Sequence, residues 1–379
     1  MRQPLVQGAA LQTAHYAPGH SPDRASSRAC VHYTPDTSTA YTSVAQVKPI
    51  IEGKPSPTPA ARIVEVDAES TGQRLDNFLI RHLKGVPKTH VYRIIRSGEV
   101  RLNKGRTSAD ARVAEGDLVR LPPVRVSEKI AEKAERPAPA REFPILLEDE
   151  QLIALDKPAG VAVHGGSGVS FGVIEQLRQA RPQARFLELV HRLDRETSGI
   201  LLVAKKRSAL THLQDQFRGR ETGKTYLALV TGSWPANHKV IDQPLHKYLQ
   251  EGGERRVRVT TQDDPDGMRS ITLLKVREQL APRPRQGLPA MSLLEVTIKT
   301  GRTHQIRVHL ASQGHPIAGD DKYGDFDLNR RLQKNGLKRM FLHAWRLQFD
   351  HPGSGERLEL RAELPPDLAD FLATEPTHA

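Results

Sequence analysis

The chain has 379 residues, with 56 lysines and arginines against 44 aspartates and glutamates, a formal net charge of +12. This length allows two domains of ordinary size. The single cysteine, Cys30, excludes an intramolecular disulfide framework and a thiolate zinc site. No apolar run reaches the roughly 18 residues that a membrane span needs, and the first residues do not resemble a secretory signal. We therefore expect a cytoplasmic protein that does not associate with membranes.

The positive charge is concentrated in one part of the chain. Residues 61–130 hold fourteen basic and nine acidic side chains, whereas residues 131–379 hold 37 basic and 32 acidic side chains. A local excess of cations attracts polyanions, above all nucleic acid, through counterion release. A solvated basic face that keeps the protein soluble explains the charge alone equally well.

Residues 1–60 differ in composition from the rest of the chain. They contain eight prolines, and their apolar residues follow neither the helical period of 3.6 nor the strand period of 2. We expect a disordered extension here. At the other end of the chain, residues 373–379 are expected to form a short tail.

Residues 61–125 have the pattern of a small α/β domain. Alternating residues predict a strand over Arg62–Val66, and apolar residues three and four positions apart predict a helix over Leu75–Leu83. A second helix is expected to begin at Pro87 and to end at Gly98. A short strand, a turn and a final strand over Val113–Leu121 follow.

The second helix and the following hairpin carry many cations. The sequences RLDNFL and IIRSGEVRLN, at the start of the first helix and at the end of the second, resemble the RNA-binding domain of ribosomal small-subunit protein four. This resemblance implies that structured RNA is the partner. The residues expected on its basic face are Lys88, Arg93, Arg96, Arg101 and Lys104.

A linker with alternating charges and prolines is expected over residues 126–142. Residues 143–372 then contain many apolar strand segments, one of them Val161–Val163, with few helices between them. This pattern predicts an α+β domain with a mixed, mostly antiparallel sheet decorated by helices. The segment Ala281–Leu288, with two prolines and a glycine, predicts a surface loop.

The densest group of reactive side chains is HRLDRETSG, residues 191–199, which lies between two apolar strands. Asp194 stands between Arg192 and Arg195, and flanking cations would keep it ionised, as a nucleophile or a cation stabiliser requires. The alternative is structural, because Asp194, Thr197 and Ser198 are also common turn formers that satisfy backbone donors.

Two further segments carry residues that are suited to chemistry. Tyr226 lies in a predicted strand and offers a phenol, although a half-buried structural tyrosine is the simpler interpretation. GRTHQIRVHL, residues 301–310, predicts a helix with His304 and Arg307 near one face. A surface helix with solvated arginines would show the same pattern.

The sequence lacks the usual motifs for metal or nucleotide chemistry. His304 and His309 diverge by about 140° around a helix, there is no HExxH motif, and no glycine-rich phosphate loop opens a helix after a strand. We therefore expect no metal, no nucleotide cofactor and no other cofactor.

Several separated motifs in order carry a family resemblance. HRLDRETSG, the tyrosine 32 positions after its aspartate, and GRTHQIRVHL together resemble the RluA-type pseudouridine synthases. The segment AVHGGSGVSFGVIEQLR, residues 162–178, resembles the RluC branch of that family, which modifies large-subunit ribosomal RNA. The resemblance runs from Arg62 to about Leu364. The N-terminal extension and the loop Ala281–Leu288 depart from it.

The resemblance implies an isomerase that breaks the N1–C1′ bond of uridine, turns the uracil and joins C5 to C1′. Asp194 matches the essential aspartate of the family and Tyr226 its active-site tyrosine. Arg307 matches the arginine that pairs with the aspartate, for which we expect a bidentate contact. Attack on the sugar, addition to the base and removal of the 2′ proton all stay open as the role of Asp194.

The same resemblance implies that the target nucleotide is flipped out of the RNA. Arg192 is expected to fill the space that the base leaves, because its planar guanidinium can stack there. The other expected RNA contacts of the larger domain are His191, Thr197, Arg302 and His304.

Two other function classes remain to be tested. A non-catalytic RNA-binding or ribosome-assembly factor could keep the same fold. A glycoside hydrolase shares the chemistry of a carboxylate near a cationic sugar, and it would need a second carboxylate, for which Glu196 is the nearest candidate. No coiled-coil pattern or long apolar stripe is present, so we expect a monomer.

Overall fold

The structure is a computed structural model and describes residues 60–83, 85–124, 138–165, 171–250 and 254–373. Almost all of the predicted extension, most of the predicted linker and the tail beyond residue 373 lie outside these ranges. The described residues form seven α-helices and fifteen β-strands. No helix in these ranges is both long and apolar enough to cross a membrane.

The region that precedes the linker has two helices and three strands. They are β1 (Arg62–Glu65), α1 (Leu75–His82), α2 (Lys88–Arg96), β2 (Arg101–Leu102) and β3 (Leu118–Leu121). The strands form an antiparallel sheet in the order β1-β3-β2. The apolar faces of both helices pack together, with Leu75, Phe78 and Ile94 almost fully buried. The predicted helix pair is therefore confirmed.

The last strand of this region is shorter than the sequence predicts. It begins at Leu118 instead of Val113 because the residues between them form a turn. The Asp117 carboxylate accepts a hydrogen bond from the Ala114 amide at 2.7 Å and closes that turn. An aspartate that satisfies a nearby backbone donor in this way competes with strand pairing.

The larger region holds the other elements. In chain order they are β4 (Ile145–Glu148), β5 (Leu152–Lys157), α3 (Val173–Ala180), β6 (Glu188–Leu189), β7 (Ser198–Ala204), α4 (Arg207–Gly219), β8 (Gly223–Thr231), β9 (Val240–Asp242), β10 (Leu245–Leu249), β11 (Arg255–Val259), β12 (Ile271–Leu280), β13 (Met291–Ile298), α5 (Gln305–Ser312), α6 (Phe326–Lys334), β14 (Leu342–Asp350), β15 (Arg357–Arg361) and α7 (Pro366–Ala373).

Ten of these strands join in one sheet. Its main path runs β4-β5-β7-β14-β8-β13-β12-β9, with β15 beside β14 and β6 beside β7. All neighbours are antiparallel except β7 and β14, which are parallel. This confirms the predicted α+β class with a mixed, mostly antiparallel sheet.

Strands β5 and β7 are apolar on both faces because helices or loops cover both. Ile153 and Leu155 of β5 pack in the same cluster as α3, whereas Leu152 and Ala154 pack in the same cluster as α4. Side chains alternate between the two faces of a strand, so consecutive residues enter different cores. The near-continuous apolar runs in the sequence follow from this double burial.

The predicted strand over Val161–Val163 is wrong. Its carbonyl groups satisfy other donors: those of Ala162 and Val163 accept from the Val173 and Ile174 amides at 2.8 and 3.1 Å. The first amides of a helix have no partner within the helix, and this segment supplies their acceptors. The predicted loop Ala281–Leu288 does connect β12 to β13.

Strand β14 lies between β7 and β8 and joins the two halves of the sheet. Its parallel contact with β7 pairs His343 with Ser198 and Ala344 with Gly199. Gly199 has φ of +106°, and a Cβ atom there would lie 2.3 Å from the Ala344 carbonyl oxygen. Only glycine permits this approach.

We expect Gly199→Ala to lower the free energy of unfolding by about 3 kcal/mol or more, because the new methyl group meets backbone and the φ is unfavourable. Urea denaturation followed by tryptophan fluorescence measures this change, since both tryptophans, Trp234 and Trp345, lie in the larger region. Gly355→Ala is the matched control, because Gly355 also has positive φ but no atom lies within 4 Å of its added Cβ. Equal losses in the two variants would contradict the role of the close contact.

Candidate active site

The first seven residues of HRLDRETSG, 191–197, lie in the loop between β6 and β7, and Ser198 and Gly199 begin β7. The Thr197 amide donates to the Asp194 carbonyl oxygen at 3.1 Å, and Leu193 is buried in the core. These contacts make a tight turn at Asp194. The side chain of Asp194 nevertheless keeps 21% of its surface exposed, so its carboxylate remains accessible.

Lys157, the last residue of β5, holds this loop in place through hydrogen bonds from its buried side chain. The side chain is fully buried, and its Nζ donates to the carbonyls of Pro158, Val161 and Arg195 at 2.8, 2.9 and 3.1 Å. Burial lowers the pKa of Lys157 to about 7, although nearby Glu196 and Asp194 oppose the shift. The carbonyl next to Asp194 is thereby tied to the end of another strand.

The arginine that follows Asp194 does not turn toward it. Arg195 Nε donates to the Gly160 carbonyl at 3.0 Å and lies 3.2 Å from the Glu196 carboxylate. The cationic groups near the Asp194 carboxylate come from the start of α5, with Arg307 Nη1 at 3.7 Å and His304 Nε2 at 3.9 Å. The expectation that the flanking Arg192 and Arg195 supply the charge beside Asp194 is therefore corrected, because among the described residues the ion pairs of Asp194 are with Arg307 and His304.

Arg307 is buried, and its two parallel hydrogen bonds go to Asp320. Nε and Nη2 of Arg307 lie 2.7 Å from the two carboxylate oxygens of Asp320. Despite burial, the bonds to Arg307 and to the Lys322 and Tyr323 amides lower the pKa of Asp320. The predicted bidentate contact between Arg307 and Asp194 is thus wrong, because Asp320 occupies the guanidinium fork and leaves Asp194 one longer contact.

His304 links Asp194 to a second tyrosine. Its Nδ1 lies 2.8 Å from the Tyr323 hydroxyl, while its Nε2 points toward Asp194. Burial lowers the pKa of His304 more than the neighbouring Asp194 raises it. His304 has φ of +52°, a left-handed backbone conformation that is uncommon for residues other than glycine. Such strain is frequent at functional sites.

Tyr226 comes from β8, on the other side of β14 from the loop. Burial raises the pKa of Tyr226, and the nearby charge of Asp194 raises it further. The phenol therefore stays protonated at neutral pH. Its neighbour Leu342, at the start of β14, also reaches the site.

A small cavity of about 120 Å³ brings most of these side chains together. Its apolar walls include Leu193, Ile298, Ile306 and Leu342. The predicted site residues that line it are Arg192, Asp194, Thr197, Tyr226, Arg302, His304 and Arg307. Among the described residues, Asp194 is the only carboxylate in this lining.

His191 is a predicted site residue that does not line this cavity. Its ring stacks on Phe217 with 4.7 Å between centroids, and its Nε2 accepts from the Leu202 amide at 3.1 Å. Burial, followed by the charge of Lys224, lowers the pKa of His191 to about 4. A neutral, hydrogen-bonded His191 supports the loop from behind.

The predicted basic residues before the linker lie apart from the cavity lining. Lys88, Arg93, Arg96 and Lys104 are exposed, and Arg101 is half-buried. Lys104 has φ of +69° in the turn between β2 and β3.

Sequence reasoning did not identify Asp320, Tyr323 or Lys157 as part of the site. The available signal was GDDKYG, residues 319–324, in which charged residues and a tyrosine stand between two glycines after a predicted helix. Such a segment is typical of a fixed, functional turn.

Within the described ranges, His246, Asp264 and Asp266 form the one group whose ligand atoms lie close enough to share a metal ion. The Asp264 carboxylate already accepts from the Thr260 hydroxyl and the Asp266 amide, and it contacts His246 at 2.8 Å. None of these residues lines the cavity around Asp194.

Two family models match the chain in the order that the fold shows. Residues 73–119 match the S4 domain, and residues 151–312 match the RNA pseudouridylate synthase family. The S4 match contains α1, α2 and β2, and the second match contains the Asp194 loop, Tyr226 and Arg307.

Similar proteins and a solved structure agree with these matches. The ribosomal large subunit pseudouridine synthase C of Yersinia pestis is 49% identical over 318 residues, which covers 83% of this chain and 95% of that protein. The protein of the same name from Escherichia coli strain K12 is 50% identical over 317 residues, covering 82% and 95%. The solved structure of human RNA pseudouridylate synthase domain containing 1 superposes with a TM-score of 0.51 at 28% identity, over 62% of this chain and 90% of that one.

Identity of about one half over nearly the whole length of curated synthases does not arise between unrelated folds. All the residues that line the small cavity, except Leu342, lie within residues 151–312, which match the synthase family. The chain belongs to the RNA pseudouridylate synthase family, with an S4 domain before the synthase domain.

Proposed function

We propose that this chain isomerises specific uridines of large-subunit ribosomal RNA to pseudouridine, with Asp194 as the essential carboxylate. The observation that carries the proposal is the single carboxylate in a cavity of about 120 Å³, close to Tyr226 and to the cations of α5. Usual small-molecule sites begin at roughly 300 Å³, so this cavity suits one flipped-out base.

The proposed reaction conserves all atoms. The N1–C1′ bond breaks, C5 joins C1′, and the proton lost from C5 is balanced by a proton gained at N1. Bond breaking creates positive character at C1′, and a fixed carboxylate stabilises it electrostatically. Because both parallel hydrogen bonds of Arg307 go to Asp320, the charge of Asp194 is only partly compensated and remains available to the sugar.

We assign distinct roles to the groups around Asp194. Arg307, held in place by Asp320, orients the carboxylate. Tyr226, which stays protonated, packs against uracil. Arg192 is exposed beside the cavity and takes the place of the flipped-out base in the RNA stack.

The proposed division of labour follows the two regions. Residues 61–125 bind structured RNA through phosphate and shape, and residues 143–372 carry out the reaction. Ribosomal RNA as the substrate implies a cytoplasmic protein, and we propose that it acts as a monomer.

The alternatives receive less support. A glycoside hydrolase needs a second carboxylate, yet Glu196 contacts Arg195 at 3.2 Å and does not line the cavity. A non-catalytic assembly factor would have no need for a fixed carboxylate in a base-sized cavity.

The experiment that tests the proposal maps pseudouridines by carbodiimide labelling in ribosomal RNA from a strain that lacks this protein. The proposal is contradicted if the RNA from that strain contains every pseudouridine found in RNA from the wild-type strain.

We expect Asp194→Asn to reduce pseudouridine formation by more than about 10³-fold, because the amide cannot stabilise a cationic sugar. RNA affinity should stay near that of the wild type. Tritium release from 5-tritiated uridine in the RNA measures turnover, and filter binding measures affinity. Asp327→Asn is the control, because Asp327 is an exposed carboxylate that contacts the exposed Arg330. Full turnover by Asp194→Asn would refute the assignment.

We expect Asp320→Asn to lower kcat by about 10²-fold with little change in KM, because Arg307 loses the charge that orients it. Since a buried arginine then lacks its full partner, the free energy of unfolding should fall by about 3 kcal/mol. Single-turnover kinetics and urea denaturation measure the two effects. A stable variant with normal kcat would show that the Asp320 contact does not position Arg307.

We expect neutralisation of Arg93, Arg96 and Lys104 together to weaken RNA binding and to reduce the slope of log affinity against log salt by about 3, one for each lost phosphate contact. The value of kcat at saturating RNA should not change, because these residues lie apart from the cavity.

The control for that triple variant removes three exposed cations that each contact a carboxylate, Lys275, Arg330 and Arg361. Its total charge change is the same. If both triple variants change the salt slope equally, the basic face of the S4 domain has no special role.

A further inference from the structure

A second cavity, of about 510 Å³, adjoins the one around Asp194. The lining residues that the two share are Arg192, Tyr226, Ile298, Gly301 and Arg302, so Tyr226 faces both cavities. The roles proposed above for the flipped-out base leave this second cavity without an occupant.

The second cavity is strongly cationic. In addition to Arg192 and Arg302, the cations that line it are Arg218, Arg220, Lys224 and Lys299, and the described lining contains no aspartate or glutamate. Arg218 contacts the carboxylate of Asp215. Arg220, Lys224 and Lys299 have no carboxylate within ion-pair distance among the residues that the structure describes.

Lys224 lies in an environment that disfavours its positive charge. It is half-buried, its Nζ donates to the Thr222 hydroxyl at 3.0 Å, and it lies 5.2 Å from the ring centre of Phe217. Burial lowers the pKa of Lys224, and the like charges of Lys299 and Arg220 lower it further. An anion in the cavity would relieve both effects.

Arg220 gives a second and independent indication. It directly follows Gly219, the last residue of α4, and its φ of +64° is left-handed, the conformation that normally selects glycine after a helix. A cation near the end of a helix also interacts favourably with the helix dipole. Arg218, in the last turn, already supplies that interaction without backbone strain. The strained position therefore indicates a function for the Arg220 guanidinium.

Three aromatic rings line the cavity, and none is free for a second base: Tyr226 is assigned above to the flipped-out uracil, and the rings of Phe217 and His191 stack on each other. The ring of Phe217 already stacks on His191 and lies beneath the Lys224 ammonium. Cations that have no carboxylate partner among the described residues, beside aromatic rings that already have stacking partners or an assigned base, fit a phosphate group better than a second nucleobase.

We propose that this cavity is a phosphate site that binds the RNA backbone next to the flipped-out uridine, with Lys224, Arg220 and Lys299 as its ligands. The proposal rests on the proposed function, because it takes the target base to occupy the neighbouring cavity. The ligand is a phosphodiester of the substrate RNA. By holding the adjacent backbone, the site keeps the nucleotide extruded while Asp194 acts on the sugar.

The test uses the full-length protein and a synthetic RNA hairpin that contains a mapped target uridine. Single uncharged methylphosphonates replace, one at a time, the phosphates on either side of that uridine. One of these replacements should weaken binding to the wild type roughly tenfold, the loss of one charge-assisted hydrogen bond. The Lys224→Gln variant should bind the unmodified RNA roughly tenfold more weakly than the wild type does. Replacement of that phosphate should cause no further loss of affinity in this variant.

The two variants at this site also carry a stability readout. Lys224→Gln removes a half-buried cation from like charges, and Arg220→Gly removes backbone strain, so both should have a Tm at or above that of the wild type without RNA. Both should nevertheless bind RNA more weakly and raise KM with little change in kcat. Lys206→Gln, an exposed lysine that contacts Glu150, is the matched control.

Unchanged RNA affinity in Lys224→Gln and Arg220→Gly would overturn the phosphate site, as would equal effects of every methylphosphonate on the wild type and Lys224→Gln. Competition by inorganic phosphate at constant ionic strength, with no position-dependent methylphosphonate effect, would identify a free-anion site and also overturn it. A failure of the proposed function is distinct, because the wild-type protein would then form no pseudouridine in RNA that it binds.

Discussion

The site depends on one buried ammonium group. Lys157 joins the end of β5, the turn after it and the carbonyl beside Asp194 through three hydrogen bonds. A buried charge is stable only when polar partners surround it, so the three carbonyls cannot move away independently. This constraint holds the backbone beside Asp194, whose side chain has no short hydrogen bond among those that the structure describes and contacts Arg307 at 3.7 Å.

The second half of the site is fixed in a different way. Asp320 holds the guanidinium of Arg307 by two short bonds, and Tyr323 holds the imidazole of His304. Both partners belong to a short turn after α5, so one segment sets the direction of two groups that face Asp194. The site thus places its strongest hydrogen bonds behind the reacting groups, and leaves the carboxylate free to respond to charge that develops on the substrate.

Much of this arrangement follows from the sequence. The apolar runs of β5 and β7 and the helix pair of the S4 domain have clear periodicity, because each element buries a regular face. The gathering of Asp194, Tyr226 and Arg307 was expected from a family resemblance and not from periodicity. The partner of Arg307 was not predictable, since Asp320 is thirteen residues away and competes with Asp194 for the same guanidinium. The short strands β9, β10 and β11 are not predictable from periodicity, because they have only 3, 5 and 5 residues. Strand β9 lies at the edge of the large sheet, and β10 and β11 form a separate two-stranded sheet.

Strand β14 has a consequence for how the site forms during synthesis. Asp194 precedes β7 and Tyr226 lies in β8, and these two strands are neighbours only through β14, which begins at Leu342. A nascent chain that ends before this strand has two separate half-sheets, each with an open hydrogen-bonding edge. The cavity closes only after nearly the whole chain has left the ribosome, so a truncated product can carry the complete Asp194 and GRTHQIRVHL motifs and still lack a site.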